Sequence, residues 1–412
     1  MAIRSSSSRR SRRRRARNGS GVISLEGTAS SRRGVAIISD SKCCIGRCKT
    51  IVSWTDNFGG PTVTEPLTTD RNRPTLDLNA LQDWLGDRLG DPSVPLTAAP
   101  LGTDLGIGNA LFELRRGESV WVLRRPPAVL NDKSASNMTR EYRLLQALEG
   151  SAVPHPVARA LGEDPAIIGA PFLIMDKILG FTPGFVLPEP FASDPGLRRD
   201  LAMAYVDALV DLAEVDWEKA GLQDLGKPDG FLERQVPRWL AQLERYRVRD
   251  LPELDFVTDW LERNRPQMSA PAIMHGDYSP FNVMVAPDRP ARLAAVIDWD
   301  TGTIGDPLLD IGHLLARWTN PGEEPVLQLQ AGGTDHYPTR AEMAQRYAER
   351  SGRDLSALPY YECLALFKLA VILEGTYARK LEAGVPEADN MMGELVPRLT
   401  RAAAAFARGE RA

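Results

Sequence analysis

The stretch that most constrains this chain is His275-Gly276-Asp277-Tyr278-Ser279-Pro280-Phe281-Asn282, followed by Val296-Ile297-Asp298-Trp299-Asp300. Ile273-Met274 precedes it as a short apolar strand. Val283-Met284-Val285 and Leu293 to Ile297 flank the turn Pro287-Asp288-Arg289-Pro290, which reads as a β-hairpin. A hairpin sets its two outer ends side by side. Asn282 and Asp298 are therefore expected to face each other across the hairpin mouth, near the loop that carries Asp277. One carboxylate and one amide oxygen suit a hard cation such as Mg²⁺ that takes its remaining ligands from phosphate. Asp277, left off the metal, is placed to orient a nucleophile.

Upstream of this segment the chain reads first as strands. Leu76 opens the ordered part, with Asp77 or Asn79 capping a helix through Leu81, Trp84, Leu85 and Leu89 that Gly90 ends. Leu111 to Leu114 and Val120 to Leu123 flank the turn Arg115-Arg116-Gly117-Glu118 and predict a second hairpin. A helix over Ser136 to Leu148 follows, with Met138, Tyr142, Leu145 and Leu148 as its apolar stripe. Glu141 falls inside that stripe, where a carboxylate needs a partner. Phe172 to Met175 is a further strand. From about Pro183 helical patterns dominate, apart from the catalytic hairpin. Strands first and helices later predict an α+β fold in two lobes.

The two ends of the chain differ in charge. Residues 1–71 hold 14 Lys/Arg against 5 Asp/Glu, and the remainder 36 against 49. The acidic globular part disfavours a nucleic-acid partner. Residues 1–75 are expected to form a disordered basic tail, because an Arg- and Ser-rich, acid-poor segment buries too little apolar surface to offset its ordering entropy. The alternative is an organellar transit peptide. The expected compartment is accordingly the cytoplasm, with an organelle as the alternative. Cys43, Cys44 and Cys48 match no standard zinc-ligand spacing. The apolar run Leu364 to Tyr377, interrupted by Lys368 and Glu374, is too short for a bilayer and reads as a buried helix; no membrane partner is expected.

The spacing from Asp277 to Asn282 is that of a protein-kinase catalytic loop. The fuller string, His-Gly-Asp-x-x-x-x-Asn, then Ile297-Asp298-Trp299, then Gly305-Asp306-Pro307 and Asp310, resembles the aminoglycoside phosphotransferase and choline kinase superfamily. The resemblance runs over roughly residues 77 to 405. It implies a bilobal, protein-kinase-like fold with a small β-rich N-lobe at 76–178 and a larger, mainly helical C-lobe at 179–405. It also implies ATP and Mg²⁺ as cofactors, Asp277 as the catalytic residue, and Asn282 and Asp298 as metal ligands. On the nucleotide side it implies Gly106 and Gly108 in a phosphate-covering loop with Gly102 and Asn109, Met175 at the end of its strand, and Arg124 paired with Glu141. Arg124 is a departure, since kinases place a lysine there, and Arg forks where Lys is a point charge. His275 packs the loop. Asp306 caps the next helix. Asp310 either braces the catalytic loop or is a solvated helix carboxylate. Asp300 is either a supporting group or exposed.

Val122-Leu-Arg-Arg-Pro-Pro127, Arg140-Glu141-Tyr142, Ile168-Gly-Ala-Pro-Phe172 and Ile304-Gly-Asp-Pro307 are most similar to the kinase-like domains associated with acyl-CoA dehydrogenases. That branch implies ATP-dependent phosphorylation of a hydroxy-acyl, acyl-CoA-linked substrate, with enzymes of acyl-CoA metabolism as partners. An aminoglycoside-type antibiotic kinase, a nucleotide-binding pseudokinase module and a protein kinase are the alternatives; the last lacks the Asp-Phe-Gly and Ala-Pro-Glu pair. On the substrate side, Trp217, Trp239, Trp318, Tyr360 and Tyr361 are candidate lining or core residues. Arg317, Lys368, Arg379 and Lys380 are candidate phosphate contacts or surface charges.

Overall fold

The computed structural model describes residues 76–101, 109–126, 132–184 and 186–411. The basic tail, its three cysteines, and Gly102, Gly106 and Gly108 of the glycine-rich loop lie outside the described residues.

The first lobe is a five-stranded antiparallel sheet. Helix α1 (Leu78–Leu85) precedes it. Strands β1 (Thr97–Leu101), β2 (Ala110–Arg116) and β3 (Ser119–Arg125) run as a meander. Helix α2 (Asp132–Ala147) then leads to β4 (Ala158–Gly162) and β5 (Phe172–Asp176). The strand order is β1-β2-β3-β5-β4. Asp77 caps α1 by accepting from the Ala80 amide, and the helix ends at Gly86, whose φ is +50°. The sequence reading ended it at Gly90. Gly86 comes first and already offers the positive φ that stops a helix.

The alternation of side chains along a strand gives this sheet two different faces. Phe112, Leu114, Trp121, Leu123, Phe172 and Ile174 pack with Leu81 and Leu85 of α1 into a small core. The other face, with Val122, Leu173 and Met175, joins the larger core together with Met138, Leu144, Leu145 and Leu148 of α2. Arg124 is two residues from Val122, so it points to the α2 side, where Glu141 waits.

The second lobe is mainly helical. Helices α3 (Pro195–Ala213), α4 (Gln235–Leu243) and α5 (Leu254–Arg263) come first. Strand β6 (Ala272–Met274), the hairpin β7 (Val283–Val285) and β8 (Leu293–Val296), and β9 (Thr303–Gly305) form two small antiparallel pairs, β6 with β9 and β7 with β8. Helices α6 (Leu308–Leu315), α7 (Arg340–Ser351), α8 (Leu358–Glu382) and α9 (Met392–Ala407) complete the chain. Asp194 with Pro195 starts α3, and a Thr339–Glu342 capping box starts α7. Helix α8 is the spine of this lobe, and most of its residues are buried. Glu374 on α8 pairs with Arg249 at 2.8 Å. Among the described residues no helix is long and apolar enough to cross a membrane.

The lobes are fastened through α2. Arg140 donates to the carbonyl oxygens of Leu225 (2.9 Å) and Gly302 (2.7 Å). Arg143 forks onto both carboxylate oxygens of Asp224, at 2.9 and 2.6 Å. Gly302 is needed where it stands: a Cβ there would meet Leu144 Cδ1 at 2.3 Å. The architecture is the α+β bilobal arrangement expected from the order of strands and helices.

Candidate active site

The loop between β6 and β7 is built around His275. Its Nε2 lies 3.0 Å from the Ile297 carbonyl oxygen, and the Asp277 amide donates to its Nδ1 at 3.3 Å. This pair of contacts assigns the tautomer with the proton on Nε2. The ring is buried against Trp299, 4.8 Å between centroids. His275 thus shapes the loop from behind. Gly276 takes φ +80°, and a Cβ at that position would meet the Thr301 carbonyl oxygen at 2.7 Å. Only glycine combines that backbone conformation with that approach.

Asp310 resolves one open reading. It lies in the first turn of α6, is buried, and accepts from the amides of His275 (2.6 Å) and Gly276 (2.9 Å). It is a brace and not a solvated carboxylate. Burial pushes its carboxyl above the ordinary range, against the pull of His275 and the two amides. Asp306 is also buried and ties several elements: it accepts from Ser269, from the Leu308 amide and from the Tyr361 hydroxyl.

The expected convergence is present. Ile297 N donates to Asn282 O at 2.9 Å just outside the Val283–Val296 pair, so the hairpin mouth closes on Asn282 and Asp298. Asn282 Nδ2 donates to the Asp277 carbonyl oxygen (2.7 Å) and to Asp277 Oδ2 (3.2 Å). Its amide oxygen is therefore turned to the opposite side. Asp298 sits in the left-handed region (φ +70°, ψ +62°), which Asp tolerates better than most residues. The chain turns sharply there. Asp277, Asn282, Asp298 and Asp300 all line one cavity of about 1350 Å³.

From the sheet side, Arg124 reaches into this group. Its Nη1 lies 2.5 Å from Glu141 Oε1, and its Nη2 lies 2.8 Å from Asp298 Oδ1 and 3.2 Å from Asp300 Oδ1. Asn109, with its amide oxygen turned inward, accepts from Arg124 Nε at 2.9 Å. Burial lowers the guanidinium pKa, but Glu141 and Asp300 more than offset this and hold it above its ordinary value. The Arg124–Glu141 pair is as expected; the extension to Asp298 and Asp300 depends on folding across the lobes. Met175, by contrast, faces the core and is not on the cavity wall.

The opposite wall comes from α4, α6 and α8. Lys368 Nζ donates to the Gly276 carbonyl oxygen at 2.5 Å and lies 5.7 Å from the centre of the Trp239 ring. Arg317 is buried, with Nε donating to His313 O and Nη2 to Tyr278 O, both at 2.8 Å. Burial brings the Arg317 pKa down to about 10 despite the opposing pull of Asp277. Arg379 lines the cavity and Lys380 does not. Of the five candidate aromatics only Trp239 lines it; Trp318, Tyr360 and Tyr361 are buried in the core and Trp217 packs against it. Lys368, a cation inside the apolar run Leu364 to Tyr377, needs a partner for the same reason as Glu141. Arg140, part of the Arg140-Glu141-Tyr142 motif, also lines the cavity.

Acyl-CoA dehydrogenase family member 10 of Mus musculus is 28% identical over 321 residues, 76% of this chain and 29% of that protein. Acyl-CoA dehydrogenase family member 11 of Gallus gallus is 30% identical over 330 residues, 77% of this chain and 42% of that protein. The chain thus spans less than half the length of either relative. A crystal structure from Ralstonia eutropha, provisionally described as an aminoglycoside phosphotransferase, superimposes with a TM-score of 0.68 at 28% identity, covering 81% of this chain and 99% of that one. The model of the APH family, described as a phosphotransferase enzyme family, matches residues 104–345. With more than half its length matched, the chain belongs to the APH phosphotransferase enzyme family.

Proposed function

We propose that this enzyme transfers the γ-phosphoryl group of ATP, bound with Mg²⁺, to the hydroxyl of an acyl-CoA-linked hydroxy acid. The observation that carries this reading is the charge of the cavity that holds Asp277, Asn282 and Asp298. Seven basic side chains line it against four acidic ones, and three of those four are Asp277, Asp298 and Asp300. A polycationic aminoglycoside calls for the reverse balance. Apolar groups, among them Phe231, Leu369, Ile372 and Leu373, supply a wall for an acyl chain. The names of the acyl-CoA dehydrogenase relatives agree with such a substrate.

In this reading residues 76–178 hold the nucleotide and residues 179–405 hold the acceptor. Asn282 and Asp298 fit a cation that takes one carboxylate, one amide oxygen and otherwise phosphate and water; among the described residues no cluster of three or more His, Cys, Asp or Glu forms a cage of its own. Mg²⁺ on these residues supplies neutralisation of phosphate charge. Arg124 adds a fixed cation next to them. Asp277, held by Asn282, accepts the hydrogen bond of the acceptor hydroxyl and aims its oxygen. That oxygen forms a bond to the γ-phosphorus as the bond to the bridging oxygen of ADP breaks, and the hydroxyl proton passes to Asp277. Most of the acceleration comes from positioning and charge.

The test is mass spectrometry of the protein incubated with MgATP and hydroxy-acyl-CoAs, aminoglycosides or choline. One phosphoryl group on a hydroxy-acyl-CoA, absent with Asp277→Ala, is the expected result. Transfer to an aminoglycoside instead would replace the substrate assignment. MgATP binding without transfer to any hydroxyl would favour the pseudokinase reading, which rests on the Arg124–Asp298 contact.

A further inference from the structure

The wall facing Asp277 carries more positive charge than the chemistry requires. Arg238, Arg317 and Lys368 line the cavity there, and Arg317 and Lys368 share the carboxylates of Asp277 and the buried Asp310. Arg317 and Arg238 each weaken the hold of Lys368 on its proton. Lys368 is lowered first by burial and is drawn up by Asp277 and Asp310. Bringing such cations together is unfavourable unless an anionic or strongly accepting group joins them.

Their donors are only partly used. Lys368 has three N–H donors, and among the described residues one goes to the Gly276 carbonyl oxygen. Arg317 uses Nε and Nη2 on His313 and Tyr278, while Nη1 has no protein acceptor among the described residues. The Lys368 ammonium reaches the backbone of the residue immediately before Asp277. Whatever it binds in the cavity therefore sits beside the group that Asp277 orients. The Trp239 ring beneath Lys368 and Arg238 backs these cations with an apolar face.

We infer that Lys368 and Arg317 form the subsite that selects the acceptor, binding a carbonyl-derived oxygen, of a carboxylate or of a thioester, next to the hydroxyl to be phosphorylated. This rests on the kinase reading of the same cavity. It adds that the acceptor is recognised through the oxidised carbon of its acyl group as well as through its hydroxyl. It also predicts exclusion of cationic acceptors, which would meet three like charges at this wall.

The test uses three probes of matched chain: 3-hydroxyoctanoyl-CoA, 3-hydroxyoctanoate and 1,3-octanediol. Binding is measured by calorimetry and transfer by product mass. The full chain should bind the thioester or the carboxylate at least about tenfold tighter than the diol, the range of one charge-assisted hydrogen bond. Lys368→Met should abolish that preference and raise KM about tenfold with a smaller change in kcat; Lys368→Arg should restore most of it. Preference for the thioester alone would assign the oxygen to the thioester carbonyl, and preference for both would assign it to the shared carbonyl group. Equal binding of all three probes by the full chain overturns the inference. So does a Lys368→Met protein that keeps the wild-type preference, or one that loses kcat equally on all acceptors, because it then only braces the loop through Gly276. Because binding is read without turnover, discrimination among the probes with no transfer to any of them would condemn the kinase reading and leave the subsite standing. Lys368 is half-buried and Arg317 fully so, which makes the lysine the safer site to alter; a melting curve identifies a variant that fails to fold.

Discussion

The two walls of the cavity handle charge in opposite ways. On the sheet side a single cation, Arg124, stands among three carboxylates drawn from both lobes, Glu141, Asp298 and Asp300. On the helical side Arg238, Arg317 and Lys368 line the cavity near Asp277, and cations outnumber carboxylates. The first arrangement binds the protein to itself across the lobes. The second leaves positive charge for an incoming molecule to meet. The proposed roles put chemistry and selection on different residues, and substitution should separate them.

The widest separation is expected in turnover. Asp277→Ala should lower kcat about 10²–10⁴-fold on every acceptor, the usual range for a lost proton acceptor, whereas Lys368→Met should act mainly through KM. Initial rates over a range of acceptor concentrations decide this. If the two variants showed the same pattern, the two walls would not be functionally distinct.

Stability should separate them next. Arg124→Met removes the cation from a buried group of carboxylates and should destabilise the fold by about 3–5 kcal/mol. Lys368→Met removes a half-buried charge whose proton affinity burial already lowers, and should cost much less. Urea unfolding of both variants tests the contrast, and equal losses would contradict it. Asp310→Asn should fall between them. It replaces one of two acceptors under the catalytic loop by a donor, for about 1–3 kcal/mol, and the same unfolding curves would show it.

The smallest effect is a control on pH. Glu362 is buried on α8, away from the cavity lining, and burial pushes its carboxyl up to about 8, against the pull of Arg340 and Arg411. The folded state therefore holds this proton more tightly than the unfolded chain, whose ordinary value is 4.5. The stability it contributes is complete below that value and is lost as pH rises towards about 8. Melting temperatures should fall by a few degrees over that window in the wild type, and by less in Glu362→Gln. A pH profile of activity can be assigned to either wall only after this background is known.

Much of this was legible in sequence because it rests on local rules. The hairpin was marked by a Pro-Asp-Arg-Pro turn between two apolar runs, and its mouth brought Asn282 and Asp298 together by strand geometry alone. Glu141 was conspicuous because a carboxylate interrupts an apolar stripe. What escaped depends on distant packing. That Arg124 reaches Asp298 and Asp300 requires the lobes to be in place. Asp310 could be read as a brace or as a surface carboxylate until β6 was seen against α6. The aromatics of α8 carry the same composition whether they face a ligand or the core, and Tyr360 and Tyr361 face the core. Met175 packs in the larger core, because its strand position puts it on the face shared with Val122.

The two hydrogen bonds that Asp310 makes also bear on the order in which the molecule assembles. The carboxylate and the amides it receives are 34 and 35 residues apart. No local turn can supply that carboxylate in advance, and the chain between must close before the loop gains its support. A chain with the sheet and even the β7–β8 hairpin formed, but with α6 not yet docked beneath β6, would leave Asp277 without a fixed direction. The onset of catalysis during refolding is then a clock for completion of the helical lobe, and it should lag behind signals that report the sheet.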